Sequence, residues 1–183
     1  EKSPKLAIGA AYSYNVGASN MVGEGHNDFQ MYDKEGAADY PDYRKLSADL
    51  LFKWNGFSLL AEYVNATANG LNGLYVEKDE GAKLKPRQIA NYLALGNGLN
   101  VQAGYLFRKL WALDVAYSKV NPEWKETGQS VLREADNITF GASKYFNNNT
   151  FKLQLAGSYT SYNQLVGAGS KEFQVKLNLH ILF

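Results

Sequence analysis

The final stretch of the chain, from Phe173 to Phe183, alternates strictly between apolar and polar side chains as far as the penultimate residue. Because a β-strand repeats every two residues, this stretch predicts a strand with one apolar face and one wet face. The apolar set comprises Phe173, Val175, Leu177, Leu179, Ile181 and Phe183, and the polar set comprises Gln174, Lys176, Asn178 and His180. A soluble barrel with its apolar side turned inward would show the same alternation. The lack of a polar tail after Phe183 makes us expect a lipid-facing strand instead.

Further segments alternate in the same way, so the sequence predicts eight strands within one domain, residues 1–183. They are residues 5–14, 46–54, 57–64, 101–108, 111–118, 138–143 and 151–160. Short turns are predicted at Asn55-Gly56, Lys109-Leu110 and Asn147–Asn149, and Asn-Gly is the strongest of these hairpin signals. Longer connections are predicted at 15–44, 66–97, 121–135 and 163–170, with a short helix from Pro86 to Leu95.

The composition excludes several other classes of protein. The 183 residues contain no cysteine, so a disulfide framework and a thiolate metal site are both impossible. No uncharged run approaches the roughly 18 residues of a transmembrane helix, which excludes a helical membrane protein. The net charge of +1 does not favour a nucleic-acid partner. The spacing in Gly23–Asp28 matches no EF-hand loop, so we interpret this segment as surface loop and expect neither a metal nor a cofactor.

Long and short connections alternate along the chain. If Phe183 lies on the periplasmic side, every short turn falls on that side, as in outer-membrane barrels. Aromatic residues mark both ends of the apolar face, as expected at the two bilayer interfaces. The periplasmic set comprises Trp54, Phe57, Phe107, Trp111, Phe146, Phe151 and Phe183, and the outer set comprises Tyr12, Tyr14, Tyr63, Tyr117, Tyr159 and Phe173. Lys119 and Lys144 interrupt this face near strand ends, where a long side chain can reach the interface.

These observations predict an all-β fold, an antiparallel up-and-down transmembrane β-barrel in a bacterial outer membrane. The predicted pore-lining set lies opposite the lipid face, and its charged members are Asp49, Lys53, Glu62, Arg108, Asp114, Lys152, Lys176 and His180. A strongly selective anion pore needs a surplus of Lys and Arg, so this mixed set predicts at most mild selectivity. We favour the interpretation that these charges pair and hydrate the interior without selecting a solute.

The same inward set contains many small residues: Ala7, Gly9, Ala11, Ser13, Gly104, Ala112, Ala116, Gly141 and Ala156. The side chains of a closed eight-stranded barrel just fill its interior. An interior lined by such small residues would leave voids, which close-packed proteins avoid. We therefore expect a wider, water-filled lumen in which these strands form only part of the wall.

Several segments carry a family resemblance: LSADLLFKWNGFSLLAEY at 46–63, VQAGYLF at 101–107, AYSKVNP at 116–122, FGASKYF at 140–146 and the terminal strand. They resemble the C-terminal half of the phosphate-selective porin O and P family of Bacteroidota-type, Gram-negative outer membranes. The resemblance implies a barrel of about sixteen strands, often trimeric, of which the eight strands would form one half. The chain lacks the N-terminal half, where the constriction is expected, and shows no basic ladder. Phosphate selectivity is therefore not assigned to its residues.

The leading functional hypothesis is a porin, a channel for passive diffusion of small hydrophilic solutes or anions. Its expected partners are outer-membrane lipid and further copies in a homotrimer or larger complex. The alternative is a complete eight-stranded barrel that serves as an anchor, adhesin or accessory subunit of a membrane complex. An enzyme needs a nucleophile or general base in a shared site, and with only His26 and His180 we predict no catalytic residue. A soluble lipocalin-like carrier is the non-membrane alternative.

Overall fold

The computed structural model describes residues 2–18, 32–71, 73–74, 93–107, 110–123, 132–146, 151–162 and 171–181. These residues form eight strands. In chain order they are β1 (Lys5–Asn15), β2 (Asp42–Trp54), β3 (Phe57–Asn69), β4 (Gly96–Phe107), β5 (Trp111–Pro122), β6 (Ala135–Phe146), β7 (Phe151–Tyr162) and β8 (Lys171–Ile181). Within the described ranges there is no helix long and apolar enough to cross a membrane.

The eight strands form one antiparallel sheet in which each strand pairs with its neighbours in the chain. The predicted number of strands and their up-and-down order are thereby confirmed. No Cα atom of β1 comes within 8 Å of a Cα atom of β8. Among the described residues the sheet is therefore open, with β1 at one edge and β8 at the other.

The tight connections lie together at one end of the sheet, here named the turn end. At Asn55-Gly56 the φ angles are 46° and 89°, which is the type I′ turn predicted for this dipeptide. The flanking residues Trp54 and Phe57 pair across it. Phe107 with Trp111, and Phe146 with Phe151, close the next two hairpins at the same end. Arg108, Lys109 and Asn147–Asn149 lie outside the described residues. The opposite end of the strands is here named the loop end.

The strand register gathers the apolar residues of all eight strands on one face, here named the apolar face. One continuous row across the sheet consists of Ile8, Leu50, Ala61, Val101, Tyr117, Ile138, Tyr159 and Phe173. Within the described strands, every exposed large hydrophobic residue except Leu106 lies on this face. Alternation within each strand and pairing between strands therefore agree over the whole sheet.

On β5, β6 and β7 the polar face is the more enclosed of the two. On β5 the apolar-face residues Trp111 and Leu113 are 48% and 54% exposed. Ala112, between them on the polar face, is only 7% exposed, and Asp114 is partly buried. These three strands thus shield the polar face and present the apolar one, whereas Asp49 and Lys53 of β2 and Glu62 of β3 are exposed on the polar face.

The strands are staggered relative to one another. The row of paired residues that starts at Lys5, the first residue of β1, reaches Ala156, the sixth residue of β7. The row therefore moves five residues away from the turn end while it crosses from β1 to β7. At about 3.3 Å per residue and about 4.8 Å between strands, the strands are inclined at about 30° to a line drawn at right angles to the turn end. A progressive stagger of this kind is what closing a sheet into a barrel requires.

At the loop end, several strands extend further than the alternation predicted. β2 begins at Asp42 and β3 continues to Asn69, because backbone pairing persists where the side chains no longer alternate. The predicted connections 15–44, 66–97 and 121–135 are correspondingly too long. Most of the helix predicted from Pro86 to Leu95, and all of 163–170, lie outside the described residues, and Leu93–Leu95 are not helical.

Candidate pore-lining face

The polar face carries every described member of the predicted pore-lining set. These are Asp49, Lys53, Glu62, Asp114, Lys152, Lys176 and His180. Arg108 is outside the described residues. The register also adds three charged residues that the prediction missed, namely Lys5, Lys45 and Glu172. Lys45 and Glu172 lie just outside the predicted strands, whereas Lys5 is the first residue of a predicted strand and its parity alone would have identified it.

Three lysines lie close to the turn end of this face. Lys53 and Lys152 are each one residue from the ends of their strands, Trp54 and Phe151. Lys5 pairs directly with Lys53 in the register of β1 and β2. The Nζ atom of Lys152 lies 5.4 Å from the centroid of the Tyr145 ring. We name Lys5, Lys53 and Lys152 the lysine layer.

Three carboxylates lie further from the turn end and form a second layer. Asp49 and Glu62 are paired residues of β2 and β3, and Asp114 lies on β5. Along β2, Asp49 is four residues from Lys53, which is about 13 Å of strand. We name Asp49, Glu62 and Asp114 the carboxylate layer. Asp49 and Glu62 are therefore separated along the strands from Lys53, whereas Asp114 shares a register row with Lys5 and Lys53 and interacts electrostatically with Lys152.

Small residues make room for the carboxylates. A Cβ atom on Gly9 would lie 2.5 Å from Oδ1 of Asp49, so the Asp49 side chain rests against the glycine of the neighbouring strand. Asn100 Nδ2 donates a hydrogen bond of 2.8 Å to Glu62 Oε2. In the same manner the Asp114 carboxylate lies against Gly104, with Gly141 on its other side. Three of the predicted small residues, Gly9, Gly104 and Gly141, thus leave space for the side chains of charged neighbours.

The two strand residues of β8 in the predicted set are more exposed. His180 pairs with Lys152, and Lys176 pairs with Ala156. Every described residue of β8 is exposed on both faces, because this strand has a neighbour on one side only. The carboxylate and lysine layers therefore lie on the same face of strands β1–β7. Lys176 and His180 lie on the edge strand β8.

The loop end of the polar face is covered by a small apolar cluster. Leu71, Leu74, Leu93 and Leu95, from the connection between β3 and β4, are buried together, and Tyr43 and Ala68 of the polar face pack against them. Tyr43 Oη donates a 3.0 Å hydrogen bond to the Ala94 carbonyl. We name these four leucines the leucine cluster. It is the principal described apolar core, and it packs the two described ends of this connection against the polar face.

The start of the next connection is fastened to the same cluster. The Glu123 backbone N–H donates a 3.0 Å hydrogen bond to the Leu95 carbonyl. Partial burial at this point raises the pKa of the Glu123 carboxyl above its ordinary value. No sequence motif predicted this arrangement. The four leucines follow neither the alternation of a strand nor a helical pattern that would identify the residues they contact.

Within the described ranges, no group of three or more His, Cys, Asp and Glu side chains is positioned to hold a metal ion. No family model, curated protein or solved structure matches the chain. The class of protein must therefore be inferred from the two faces of the sheet and from the layers of charge on one of them.

Proposed function

We propose that this chain forms part of the wall of a bacterial outer-membrane porin, a water-filled channel through which small hydrophilic solutes or ions diffuse passively. The observation that carries the proposal is the exposed apolar face, which on β5–β7 lies opposite an enclosed polar face. A large, continuous apolar face such as this one is typical of a surface that meets lipid or another protein. The enclosed polar face, with layered charges, suits a lumen filled with water.

The height of the apolar face supports a bilayer environment. On β2 the face runs from Leu46 to Trp54, about 26 Å along the strand, which an inclination of about 30° projects to about 23 Å. Outer-membrane barrels carry an apolar band of about 25 Å. Beyond Leu46 the face becomes polar at Arg44, the residue that pairs with Tyr14.

A polar rim continues along the loop end of the apolar face. Asn121 Nδ2 donates a 3.0 Å hydrogen bond to Asn97 Oδ1, and Lys119 Nζ lies 3.5 Å from Asp136 Oδ1. Tyr117 Oη donates a 2.5 Å hydrogen bond to the same Asp136 oxygen. Such side chains suit the level of lipid headgroups, where tyrosine is enriched. The boundary between the apolar band and the rim is therefore sharp.

The open edges of the sheet favour a wall of more than eight strands. A complete eight-stranded barrel, the anchor or accessory subunit considered above, requires β1 to pair with β8, and these strands do not approach each other. Both edge strands are eleven residues long and keep one-to-one register with their neighbours, so neither is blunted by a bulge. Unblunted edges pair readily with further strands. With the resemblance to the porin O and P family, this supports a barrel of about sixteen strands.

Single-channel recording on the purified full-length protein in planar bilayers tests the proposal. The expected result is stepwise conductance that small neutral polymers reduce, because they enter the lumen, and that polymers too large to enter leave unchanged. An eight-stranded barrel filled by its own side chains would give no such steps. Protein that inserts into the bilayer and yields no conductance steps would overturn the porin and favour the anchor.

A further inference from the structure

A groove of about 290 Å³ crosses the apolar face near the turn end. On that face it is lined by Phe57, Ala103, Tyr105, Leu113, Val115 and Phe140. Ala103 lies between Leu59 and Val115 in the register, so a small side chain stands between two larger ones. The groove is thus a consequence of one short residue surrounded by rings and branched side chains.

A single cation stands beside this groove. Lys144 pairs with Trp111, and Leu113, the next apolar-face residue of β5, lines the groove. Lys144 Nζ lies 4.7 Å from the centroid of the Trp111 ring and 5.1 Å from that of the Phe146 ring. Cation–π contacts of this length hold an ammonium group in place. Neighbouring positions on one face are about 7 Å apart, so the ammonium and the groove are contiguous.

No described carboxylate neutralises Lys144. The other charged residue of the apolar face on its own strand is Asp136, eight residues away at the loop end, or about 26 Å along the strand. Asp136 is paired with Lys119 there. The turn end of this face therefore carries a fixed positive charge, held by two aromatic rings, for which the described part of the protein supplies no counter-ion.

We propose that Lys144 and the groove form a binding site for one phospholipid of the leaflet at the turn end. The inference rests on the membrane placement proposed above. The phosphate would pair with the Lys144 ammonium at headgroup level, where aromatic residues are enriched. An acyl chain would lie over Ala103, between the Tyr105 and Phe140 rings. Phosphate occurs in both zwitterionic and anionic phospholipids, and an uncompensated lysine favours the anionic kind.

Trp111 provides a reporter within the site. The full-length protein carrying Trp54→Phe and Trp124→Phe would keep Trp111 as the remaining tryptophan of this sequence. It would be reconstituted in phosphatidylcholine vesicles containing increasing fractions of phosphatidylglycerol with brominated acyl chains, which quench nearby tryptophan. The matched series uses brominated phosphatidylcholine. The expected result is an apparent preference for phosphatidylglycerol of about five-fold at Trp111, the effect of one lysine at a membrane surface.

Two variants separate the headgroup contact from the groove. Lys144→Gln should reduce the preference to about one-fold, whereas Lys119→Gln, on the same face at the loop end, should leave it unchanged. Ala103→Leu should weaken quenching by both brominated lipids, because the added side chain occupies the place of the acyl chain. Quenching without headgroup preference, or a preference that survives Lys144→Gln, would overturn the lipid site.

Conductance of the same vesicle preparations distinguishes this inference from the function on which it rests. Channels with normal conductance and no lipid preference at Trp111 would remove the lipid site and leave the porin standing. A lipid preference in protein that shows no conductance would support the site and overturn the porin. Trp111 that neither lipid quenches would contradict both, since the turn end would then lie outside the bilayer.

Discussion

Gly96, the first residue of β4, has a backbone that only glycine adopts readily. Its φ angle is 141°, and a Cβ atom there would collide with the Asn121 carbonyl and lie 2.8 Å from Pro122 Cα. A Cβ atom on Gly98, two residues further along β4, would lie 3.8 Å from the Lys119 carbonyl oxygen, which is an ordinary van der Waals contact. These two glycines occupy the same face of one strand, and only the first is required by its conformation.

Gly96→Ala should therefore lower the free energy of unfolding by about 2–3 kcal/mol, through backbone strain and collision with the end of β5. Gly98→Ala should change it by less than about 1 kcal/mol. Urea-induced unfolding of both variants in lipid vesicles, followed by tryptophan fluorescence, would measure the difference. Equal stability of the two variants would show that the start of β4 does not have this conformation.

At the scale of a strand, the two faces of β2 differ at adjacent positions. Leu50 lies on the apolar face near the middle of its band, and Leu51 lies on the polar face. Leu50→Lys should impair membrane insertion by about 2–4 kcal/mol, since it would place a charge at the bilayer midplane. Leu51→Lys should insert normally, because water lines its face. Folding into lipid vesicles, monitored by resistance to protease, compares them.

The same pair distinguishes a membrane sheet from a soluble one. A soluble carrier whose apolar face was covered by protein would fold without lipid or detergent, and Leu50→Lys would then impair folding in the absence of lipid, because it buries an unpaired charge. A Leu51→Lys variant that fails to insert while Leu50→Lys inserts would reverse the assignment of the two faces.

The elements also show how far the sequence could predict this structure. The two faces of each strand were predictable, because alternation is a local property of the sequence and the apolar residues of each strand fall mainly at every second position. The Asn55-Gly56 turn was predictable because few dipeptides tolerate two positive φ angles. Strand ends such as Asp42 and Asn69 were not, since they are determined by pairing with a distant segment. The charge layers depend on register, which alternation within one strand does not contain.

The leucine cluster could not be predicted either, because it too depends on contacts between distant segments. It permits a test at the level of one connection. Leu74→Ser combined with Leu95→Ser should release the connection from the polar face, because both side chains are fully buried there. Single-channel conductance should then rise. Tyr43→Phe, which removes only the bond to the Ala94 carbonyl, is the control and should alter conductance much less. Unchanged conductance in the double variant would show that this cover does not narrow the water path.

In the proposed channel, the lysine and carboxylate layers would act on permeating ions in sequence. Asp49→Asn with Glu62→Gln should raise the permeability ratio of chloride to potassium about two-fold, the size expected for two charges roughly 8 Å from the ion path at physiological ionic strength. Lys53→Gln with Lys152→Gln should shift the ratio by a similar factor in the opposite direction. Reversal potentials in a potassium chloride gradient provide the measurement.

Because the two layers occupy different depths, the intact channel should also conduct unequally at opposite voltages. Either pair of substitutions should reduce this difference in conductance. Raising the salt concentration to about 1 M should abolish the difference, because salt screens the charged side chains. The control is Ser47→Ala, an uncharged change on the polar face of β2. If neither pair altered the reversal potential, the ion path would run elsewhere than along this face.

The open edges of the sheet have a consequence for any wall that completes it. β1 starts at the turn end and β8 finishes there, because eight antiparallel strands reverse direction an odd number of times between them. A ring that stays antiparallel throughout can therefore add strands only in pairs between these edges. Added strands would enter and leave the ring at the turn end, so both joins to this sheet would be made on the same side of the membrane.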